Sequence, residues 1–191
     1  MTDILSKLFG SPARVKLLRL FLFNPLLSFT AADAAARCRV PLKAAQAEFS
    51  LFKKIDFVRR GRGRSAHYSL NSAFSHVLAL QNLLLNAPMR ASEIYDRVRD
   101  TGILKLIVVG GVFMGEWEVG VDLLIVGDRI KDEKLRHNIR LLESDIGKEI
   151  RYTLLSSDEF FYRLNMNDHL VRDVLDYPHR IVFDKLDIGL E

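Results

Sequence analysis

The charges of this sequence are distributed unevenly, and that asymmetry constrains the chain more than any single motif. Residues 1–90 contain 14 Lys and Arg against 4 Asp and Glu, a balance of +10, whereas residues 91–191 contain 14 against 20, a balance of −6. A balance of +10 exceeds what solubility requires of a small domain. The pattern predicts two modules, the first of which is suited to a polyanion such as nucleic acid.

Composition excludes several classes of protein. With 49% apolar residues, the chain has enough material for one or two packed cores, so a wholly disordered chain is excluded. The longest apolar stretches fall well short of the roughly 18 residues that a membrane span needs. The start, Met1-Thr2-Asp3-Ile4, lacks the features of a secretory signal, and the single Cys38 cannot form an intrachain disulfide. We therefore expect a cytoplasmic protein with no membrane span.

Capping patterns predict three helices in the first module. Ser11-Pro12 is typical of an N-cap followed by proline in the first turn, and Asn24-Pro25 ends that helix. Thr30 and Asp33 have the spacing of a capping box, which opens a short Ala-rich helix ending near Arg39. A third helix is predicted from Pro41 to about Ile55. The surface that its apolar stripe leaves outward carries Lys43, Gln46, Ala47, Ser50, Lys53 and Lys54.

A β-hairpin is predicted immediately after the third helix. Phe57–Arg60 and Ser65–Leu70 have the character of two short strands, and Gly61-Arg62-Gly63-Arg64 forms the turn between them. Three helices followed by a basic hairpin resemble a winged helix-turn-helix, closest to the ArsR-type and related bacterial repressors. The resemblance covers about residues 10–85. Its most specific part runs from Phe49 to Asn71, and Asp56 departs from it because many relatives turn there with glycine.

The resemblance implies double-stranded DNA as the partner and a transcriptional regulator as the protein. In that family the second helix of the motif enters the major groove and the hairpin, or wing, meets the backbone or the minor groove. Gln46 is able to pair with adenine and Ala47 to touch a thymine methyl. The full set of residues expected to contact DNA is Thr30, Lys43, Gln46, Ala47, Ser50, Lys53, Lys54, Arg59, Arg60, Arg62, Arg64 and His67.

The segment Ser72–Leu85 is predicted to form a helix that is apolar around much of its circumference. Such a helix requires more than one neighbour. Packing between the two modules would satisfy it, but winged-helix repressors commonly use such an element to dimerise, so we expect a homodimer. Asn86-Ala87-Pro88 ends the helix, which predicts a winged helix-turn-helix domain with a helical linker over residues 1–86 and a second domain over 87–191.

The second domain alternates helices with strands, so the whole chain is expected to be an α+β protein. A helix over Ala91–Thr101 is followed by a strand over Leu104–Val109. The remaining elements expected here are strands over Val119–Val126, Glu149–Leu155 and Ile181–Phe183, a helix over Lys131–Ile146, and another helix capped by Ser157.

One group of glycines and an aspartate in this domain is a candidate functional site. The stretches Val109-Gly110-Gly111 and Gly120-Val121-Asp122 resemble the core of the nucleotidyltransferase superfamily in its minimal form, over roughly residues 103–185. Those enzymes carry a Gly-Ser turn and then two aspartates one residue apart, which hold divalent metal over a nucleoside triphosphate. Here Gly111 stands where the serine belongs and Gly120 where the first aspartate belongs, while Asp122 matches the second aspartate.

The resemblance therefore implies a degenerate nucleotidyltransferase that serves sensing or assembly, with no catalytic residue, no bound metal and no cofactor. The strand expected to supply a third carboxylate is Ile150-Arg151-Tyr152-Thr153-Leu154, which contains none. A single carboxylate is a poor site for Mg²⁺. Gly110, Gly111 and Asp122 would be the remnant of the nucleotide site, with a nucleotide or another small molecule as effector, although Asp122 is equally interpretable as an ordinary ion-paired residue.

Two other classes of function stay open at this point. An active nucleotidyltransferase that modifies a protein or small molecule, with the winged helix as its targeting module, is the main alternative. A protein-interaction module, in which the basic wing binds an acidic partner, is the other. A metal sensor is disfavoured, because Cys38 and the five histidines form no short ligand motif.

Overall fold

The protein is described by a computed structural model over residues 4–61, 66–85, 91–117 and 120–188. It is a mixed α+β structure, which confirms the predicted class. Two compact units are formed, Met1–Ala87 with Glu143–Lys148 and Pro88–Leu142 with Glu149–Glu191. The helices of the described ranges are α1 (Ile4–Leu8), α2 (Pro12–Leu22), α3 (Ala31–Cys38), α4 (Leu42–Lys54), α5 (Val77–Leu85), α6 (Ala91–Val98), α7 (Asp132–Ile146), α8 (Ser157–Asn165) and α9 (His169–Leu175). The strands are β1 (Ser28–Phe29), β2 (Val58–Arg60), β3 (Tyr68–Leu70), β4 (Ile103–Val109), β5 (Leu123–Asp128), β6 (Tyr152–Leu155) and β7 (Arg180–Asp184).

The predicted caps of the first unit are present. The Ser11 side chain accepts a hydrogen bond from the Arg14 N–H at the start of α2. Thr30 and Asp33 form a complete capping box at the start of α3. Arg39 ends α3 in the left-handed conformation with φ 52°, and α4 begins three residues later. The starts of α2 and α3 agree with the predicted ones because each is set by local capping chemistry, whereas α4 begins after Pro41 without a side-chain cap.

A cluster of phenylalanine rings forms the core of the first unit. Phe21 of α2 is fully buried at its centre, and its ring lies 5.4 Å from Phe49, 5.7 Å from Phe29, 6.3 Å from Phe52 and 6.2 Å from Phe57, measured between centroids. Most of these pairs meet edge to face, the geometry that aromatic quadrupoles favour. The cluster joins α2 and α4 to strands β1 and β2.

The predicted hairpin is present, and β1 adds a third strand to it that the sequence pattern did not reveal. The sheet has the order β1-β3-β2 with both pairings antiparallel. The predicted helix over Ser72–Leu85 was wrong in its first turn, because α5 begins only at Val77. The Asn71 side chain explains this start: it donates to the Asp56 carbonyl and accepts from the Ala73 N–H, which holds a turn after β3.

The second unit is built on a four-stranded sheet in the order β6-β5-β4-β7. β4 pairs antiparallel with β5 and with β7, while β5 and β6 are parallel and connected through α7. The interiors of the two central strands are almost completely buried, as expected of strands covered on both faces. On one face, buried apolar residues of the sheet form a core with Phe160 of α8 and with Val171 and Val174 of α9.

Two predictions for the segments around β5 and α8 need correction. The strand expected from Val119 begins at Leu123; Val119 itself lies outside the described residues, and Gly120 is in a bend. The helix expected to be capped by Ser157 is capped by Ser156, whose hydroxyl accepts from the Glu159 N–H. Ser157 instead donates its N–H and hydroxyl to the two carboxylate oxygens of Asp128, at 3.1 and 2.8 Å.

The third strand of the second unit is shorter than predicted, and one helix was missed. Pairing in β6 starts at Tyr152 rather than Glu149, and the short helix α9 carried no recognised signal beyond its Asp168 cap. None of the helices in the described ranges combines the length and the apolar character needed to cross a membrane.

Candidate functional site

The outward face of α4 is the first candidate site. Apolar residues at helical spacing anchor the helix to the core, with Ala45, Phe49 and Phe52 buried. This leaves a stripe along the opposite side that is cationic at both ends and uncharged in its middle. The exposed residues of that stripe are Lys43, Gln46, Ala47, Ser50, Lys53 and Lys54. Among the described residues, no ion pair or side-chain hydrogen bond engages any of its three lysines.

A hollow of about 410 Å³ lies along one edge of this stripe. Its lining comes from the start of α3, from α4 and from the wing: Ala31, Gln46, Phe49, Ser50, Lys53, Ala66 and Tyr68. The Tyr68 ring packs edge to face against Phe49 at 5.1 Å between centroids, which fixes β3 to α4. The lining of the hollow therefore combines two packed aromatic rings with polar side chains that include one lysine.

The two described arginines of the wing lie on different faces of its sheet. Arg60 is the register partner of Tyr68, and Arg59 is the partner of Ser69. Residues directly opposite each other in an antiparallel pair project from the same face. Arg60 thus shares the face of Tyr68, next to the hollow, whereas Arg59 projects from the other face. Both are exposed, and no ion pair engages either within the described ranges.

Thr30 precedes Ala31 in the chain, and His67 lies between Ala66 and Tyr68; these three neighbours line the hollow. The Thr30 hydroxyl donates to Asp33 Oδ2 at 2.7 Å and accepts from the Asp33 N–H at 3.1 Å, so its only hydrogen is engaged within the cap. The Thr30 hydroxyl and N–H, with a smaller contribution from nearby His67, lower the pKa of Asp33. Thr30 therefore acts as a helix cap here, and its hydroxyl has no hydrogen left for a phosphate.

Arg62 and Arg64, the other two predicted contacts of the wing, lie outside the described residues. The hairpin is closed next to them by the hydrogen bond from the Gly61 N–H to the His67 carbonyl, at 2.8 Å. In the sequence, both arginines fall between these two positions.

Asp122 is the centre of the second candidate site, and it is almost completely buried, with 1% of its surface exposed. Its Oδ1 accepts from the Val112 N–H at 2.9 Å and from Arg151 Nη2 at 3.0 Å. Its Oδ2 accepts from the Arg151 N–H at 2.9 Å and from Arg151 Nε at 3.0 Å. The carboxylate is therefore fully satisfied by two backbone donors and a bidentate guanidinium.

The positive charge of Arg151 compensates the negative charge of Asp122, and this pairing limits which ligands Asp122 can bind. The hydrogen bonds to Asp122 raise the pKa of Arg151 above its already high value, so the guanidinium stays charged. A metal ion at Asp122 would have to displace it. Within the described residues, no group of three or more His, Cys, Asp and Glu side chains is placed to hold a metal ion. The site is an internal ion pair that holds the loop before β5 to the segment before β6.

The two glycines at which the nucleotidyltransferase resemblance predicts polar residues differ in their surroundings. Gly111 has φ +45°, and a Cβ atom there would collide with Asp122 Oδ1. Gly120 is exposed, and the nearest atom to a Cβ built on it is Asp173 Oδ2 at 3.8 Å. A side chain is therefore excluded at Gly111 by the Asp122 carboxylate, whereas Gly120 has room for one.

Sequence reasoning missed Tyr68 in the first site and Arg151 as the partner of Asp122. Tyr68 was placed on the wing, but its position against α4 depends on the hairpin register, which has no local signal. The sequence pattern identifies Arg151 as a non-acidic residue of the expected strand and does not show its pairing with Asp122. The requirement that a buried carboxylate be paired could have identified it, since it is the one basic residue of the expected neighbouring strand.

No protein-family model, no curated protein and no solved structure matches this chain. The interpretation of both sites therefore depends on their own geometry and chemistry.

Proposed function

We propose that the first unit is a module that binds double-stranded DNA in the manner of a winged helix-turn-helix. The observation that carries this proposal is the exposed stripe of α4, whose lysines no ion pair engages within the described ranges, beside a hollow and a basic wing. Cations that have no partner inside the protein are available to phosphates, and releasing the counterions of DNA makes such contacts favourable. The protein is then a transcriptional regulator that acts in the cytoplasm.

The dimensions of the stripe support a helix in the major groove. Lys43 and Lys54 are 11 positions apart, which corresponds to roughly 16 Å along an α-helix. The major groove of B-DNA is about 12 Å wide. A helix lying across it would therefore bring a lysine to the phosphates on each rim, while the uncharged Gln46, Ala47 and Ser50 remain over the base edges. The hollow beside them is lined by Lys53, a further cation for the adjoining backbone, and Arg60 projects from the face of the wing that carries Tyr68.

The test is duplex binding measured as a function of salt. Neutralising Arg59, Arg60, Arg62 and Arg64 to alanine together is expected to weaken binding strongly and to lower the slope of log affinity against log salt by about 0.9 for each phosphate that the variant no longer neutralises. A matched control removes four cations from the second unit, Lys131, Lys134, Arg136 and Arg140, all exposed. Unchanged duplex binding by the wing variant would refute the proposal. Binding of an acidic protein but of no DNA fragment at low salt would favour an interaction module instead.

We also propose that the protein forms a homodimer, with a second copy of the chain as its partner. α5 contains no charged residue, and Leu78 and Leu83 are 70% and 41% exposed on it. Operators with two-fold symmetry are bound by symmetric dimers, so a self-complementary apolar helix fits a regulator of this kind. Sedimentation at several concentrations is expected to show a dimer for the wild type and a monomer for Leu78→Lys, with His137→Lys, at an exposed position of α7 in the second unit, as control. A wild-type monomer at all concentrations would remove this part of the proposal.

For the second unit we propose a nucleotidyltransferase-like fold without catalytic activity. The support is the engagement of Asp122 by Arg151, because a carboxylate already bound to a guanidinium in bidentate fashion is not available to divalent metal. Incubation with labelled nucleoside triphosphates and Mg²⁺ is expected to give no transfer to protein or small molecules. Turnover that Asp122→Ala abolishes, with the variant still folded, would establish the alternative of an active enzyme. Nucleotide binding without turnover would fit an effector role.

A further inference from the structure

The Ser50 hydroxyl has its hydrogen engaged within α4. Ser50 Oγ donates to the Gln46 carbonyl oxygen at 3.0 Å, the bond that a serine makes to the preceding turn of a helix. A hydroxyl carries one donor and two acceptor lone pairs. Ser50 is exposed, so what it offers outward is its lone pairs. To donate to a ligand it would first have to give up the bond to Gln46.

The Gln46 side chain offers the complementary chemistry one turn earlier. It is exposed, and among the described residues no partner holds its amide group. A primary amide can donate and accept at the same time, which matches the acceptor and donor of adenine in the major groove. Gln46 and Ser50 also line the same hollow. The two residues are separated by roughly 6 Å along the helix axis, which is close to the length of two base-pair steps, about 6.8 Å.

We propose that α4 selects its duplex by base chemistry: Gln46 specifies adenine, and Ser50, acting as an acceptor, specifies a base with an exocyclic amino group, adenine or cytosine, at a neighbouring position. This rests on the proposed function of the first unit. Thymine and guanine present acceptor oxygens at the corresponding major-groove position, and two acceptors facing each other repel. Lys43 and Lys54, at the ends of the stripe, contribute affinity without selecting a base.

The experiment is selection of duplexes from a randomised pool, followed by affinity measurements on the selected site with every single-base replacement. Gln46→Glu keeps the length of the side chain but leaves only acceptors, so the preferred base at its position is expected to change from adenine to cytosine. Replacing that adenine is expected to weaken wild-type binding roughly 5- to 150-fold. Ser50→Ala is expected to remove a preference of roughly 3- to 10-fold at a neighbouring position. Lys54→Ala is the control and should weaken all sequences equally.

Each outcome has a distinct meaning. Salt-dependent binding with no sequence preference overturns this inference and leaves the proposed DNA-binding function intact. Absence of duplex binding overturns both. A thymine or guanine preference that Ser50→Ala abolishes shows that the hydroxyl donates, which overturns the acceptor role. All three positions are on the exposed face of α4, and thermal denaturation followed by circular dichroism checks that each variant is folded.

Discussion

The two units use the same residue type in opposite ways. Arg60 of the first unit is exposed, is engaged by no ion pair within the described ranges and lies on the side of the wing that adjoins the hollow. Arg151 of the second unit is bound in bidentate fashion by a carboxylate that is 1% exposed. The first guanidinium is available to a ligand, and the second has its ligand inside the protein. A count of basic residues therefore says little about binding until the partner of each one is known.

The largest expected effect is the loss of stability when the buried carboxylate of Asp122 is removed. Asp122→Ala removes the acceptor of two backbone N–H groups and of Arg151, so we expect the free energy of unfolding to fall by about 3–5 kcal/mol. Asp122→Asn keeps an acceptor oxygen in place and should lose less. Urea denaturation measures both variants. Unaltered stability of Asp122→Ala would mean that the pair is not a structural element of the second unit.

The next prediction concerns Gly111, the glycine beside Asp122, and asks whether the stability of the fold requires a glycine there. Gly111→Ser restores the residue expected by the nucleotidyltransferase resemblance, yet its Cβ would collide with the Asp122 carboxylate at a left-handed backbone position. We expect a loss of about 2 kcal/mol or more. Gly120→Ser is the matched control, since space is available there, and should change stability by less than about 0.5 kcal/mol. Similar melting temperatures for the two variants would contradict the collision.

Measuring both stability and DNA binding for one arginine of each unit tests the comparison directly. Arg151→Ala should lower stability by about 2 kcal/mol, less than for a fully buried pair because its guanidinium side chain is 45% exposed, and should leave DNA binding unchanged. Arg60→Ala should leave stability unchanged and lower the salt slope of duplex binding by about 0.9. Arg59→Ala, on the other face of the wing, should have the smaller effect on binding. If both arginines affected the same readout, the contrast between the units would fail.

A smaller effect concerns a group in the interior of the first unit. Burial raises the pKa of the Cys38 thiol from 9.0 to about 12, so the folded protein holds the proton more tightly than the unfolded chain. The resulting stability is complete below pH 9 and is lost as the pH rises towards 12. At pH 10 the expected loss is about 1.4 kcal/mol relative to pH 8. Denaturation at both pH values measures it, with Cys38→Ala as the control that should not show this component.

The smallest predicted effect is at the turn before the wing. Asp56 has φ 58°, a left-handed conformation in which an aspartate is strained and a glycine is not. Asp56→Gly is expected to raise the free energy of unfolding by up to about 1 kcal/mol, since relief of strain is partly offset by the greater freedom of glycine in the unfolded chain. It also removes an exposed negative charge close to the wing arginines, so duplex binding should strengthen slightly. Destabilisation would show that the hydrogen bond from Asn71 to the Asp56 carbonyl depends on aspartate.

Much of the fold could be predicted because its signals are local. Ser11, the Thr30 and Asp33 pair, and the apolar spacing of α4 located their helices to within a few residues. The misses have non-local causes. β1 is a two-residue strand that exists through its pairing with β3, and the late start of α5 follows from the reach of Asn71 to Asp56 across 15 positions. A helix cap depends on residues that are neighbours in the sequence, whereas the pairing of strands depends on residues that are far apart in it.

The candidate sites divide in the same way. The residues of the α4 stripe were predictable from helical spacing, since a helix with one buried face must expose the other. The hollow beside it was not, because Tyr68 meets Phe49 only after the hairpin has folded against the helix. The sequence shows a single acid, Asp122, at this site, but it does not show that Asp122 pairs with Arg151.

The order of residues alone determined the class of fold, the caps of α2 and α3, the apolar stripes and the charge difference between the two halves of the chain, because these depend on composition and on interactions between near neighbours. Only the tertiary structure decided which charges stay available and which are neutralised inside the protein. The physical reason is that the state of a charge depends on the burial and the partners that distant segments give it: Asp122 and Arg151 are 29 positions apart in the chain, and their atoms are 3.0 Å apart in the fold.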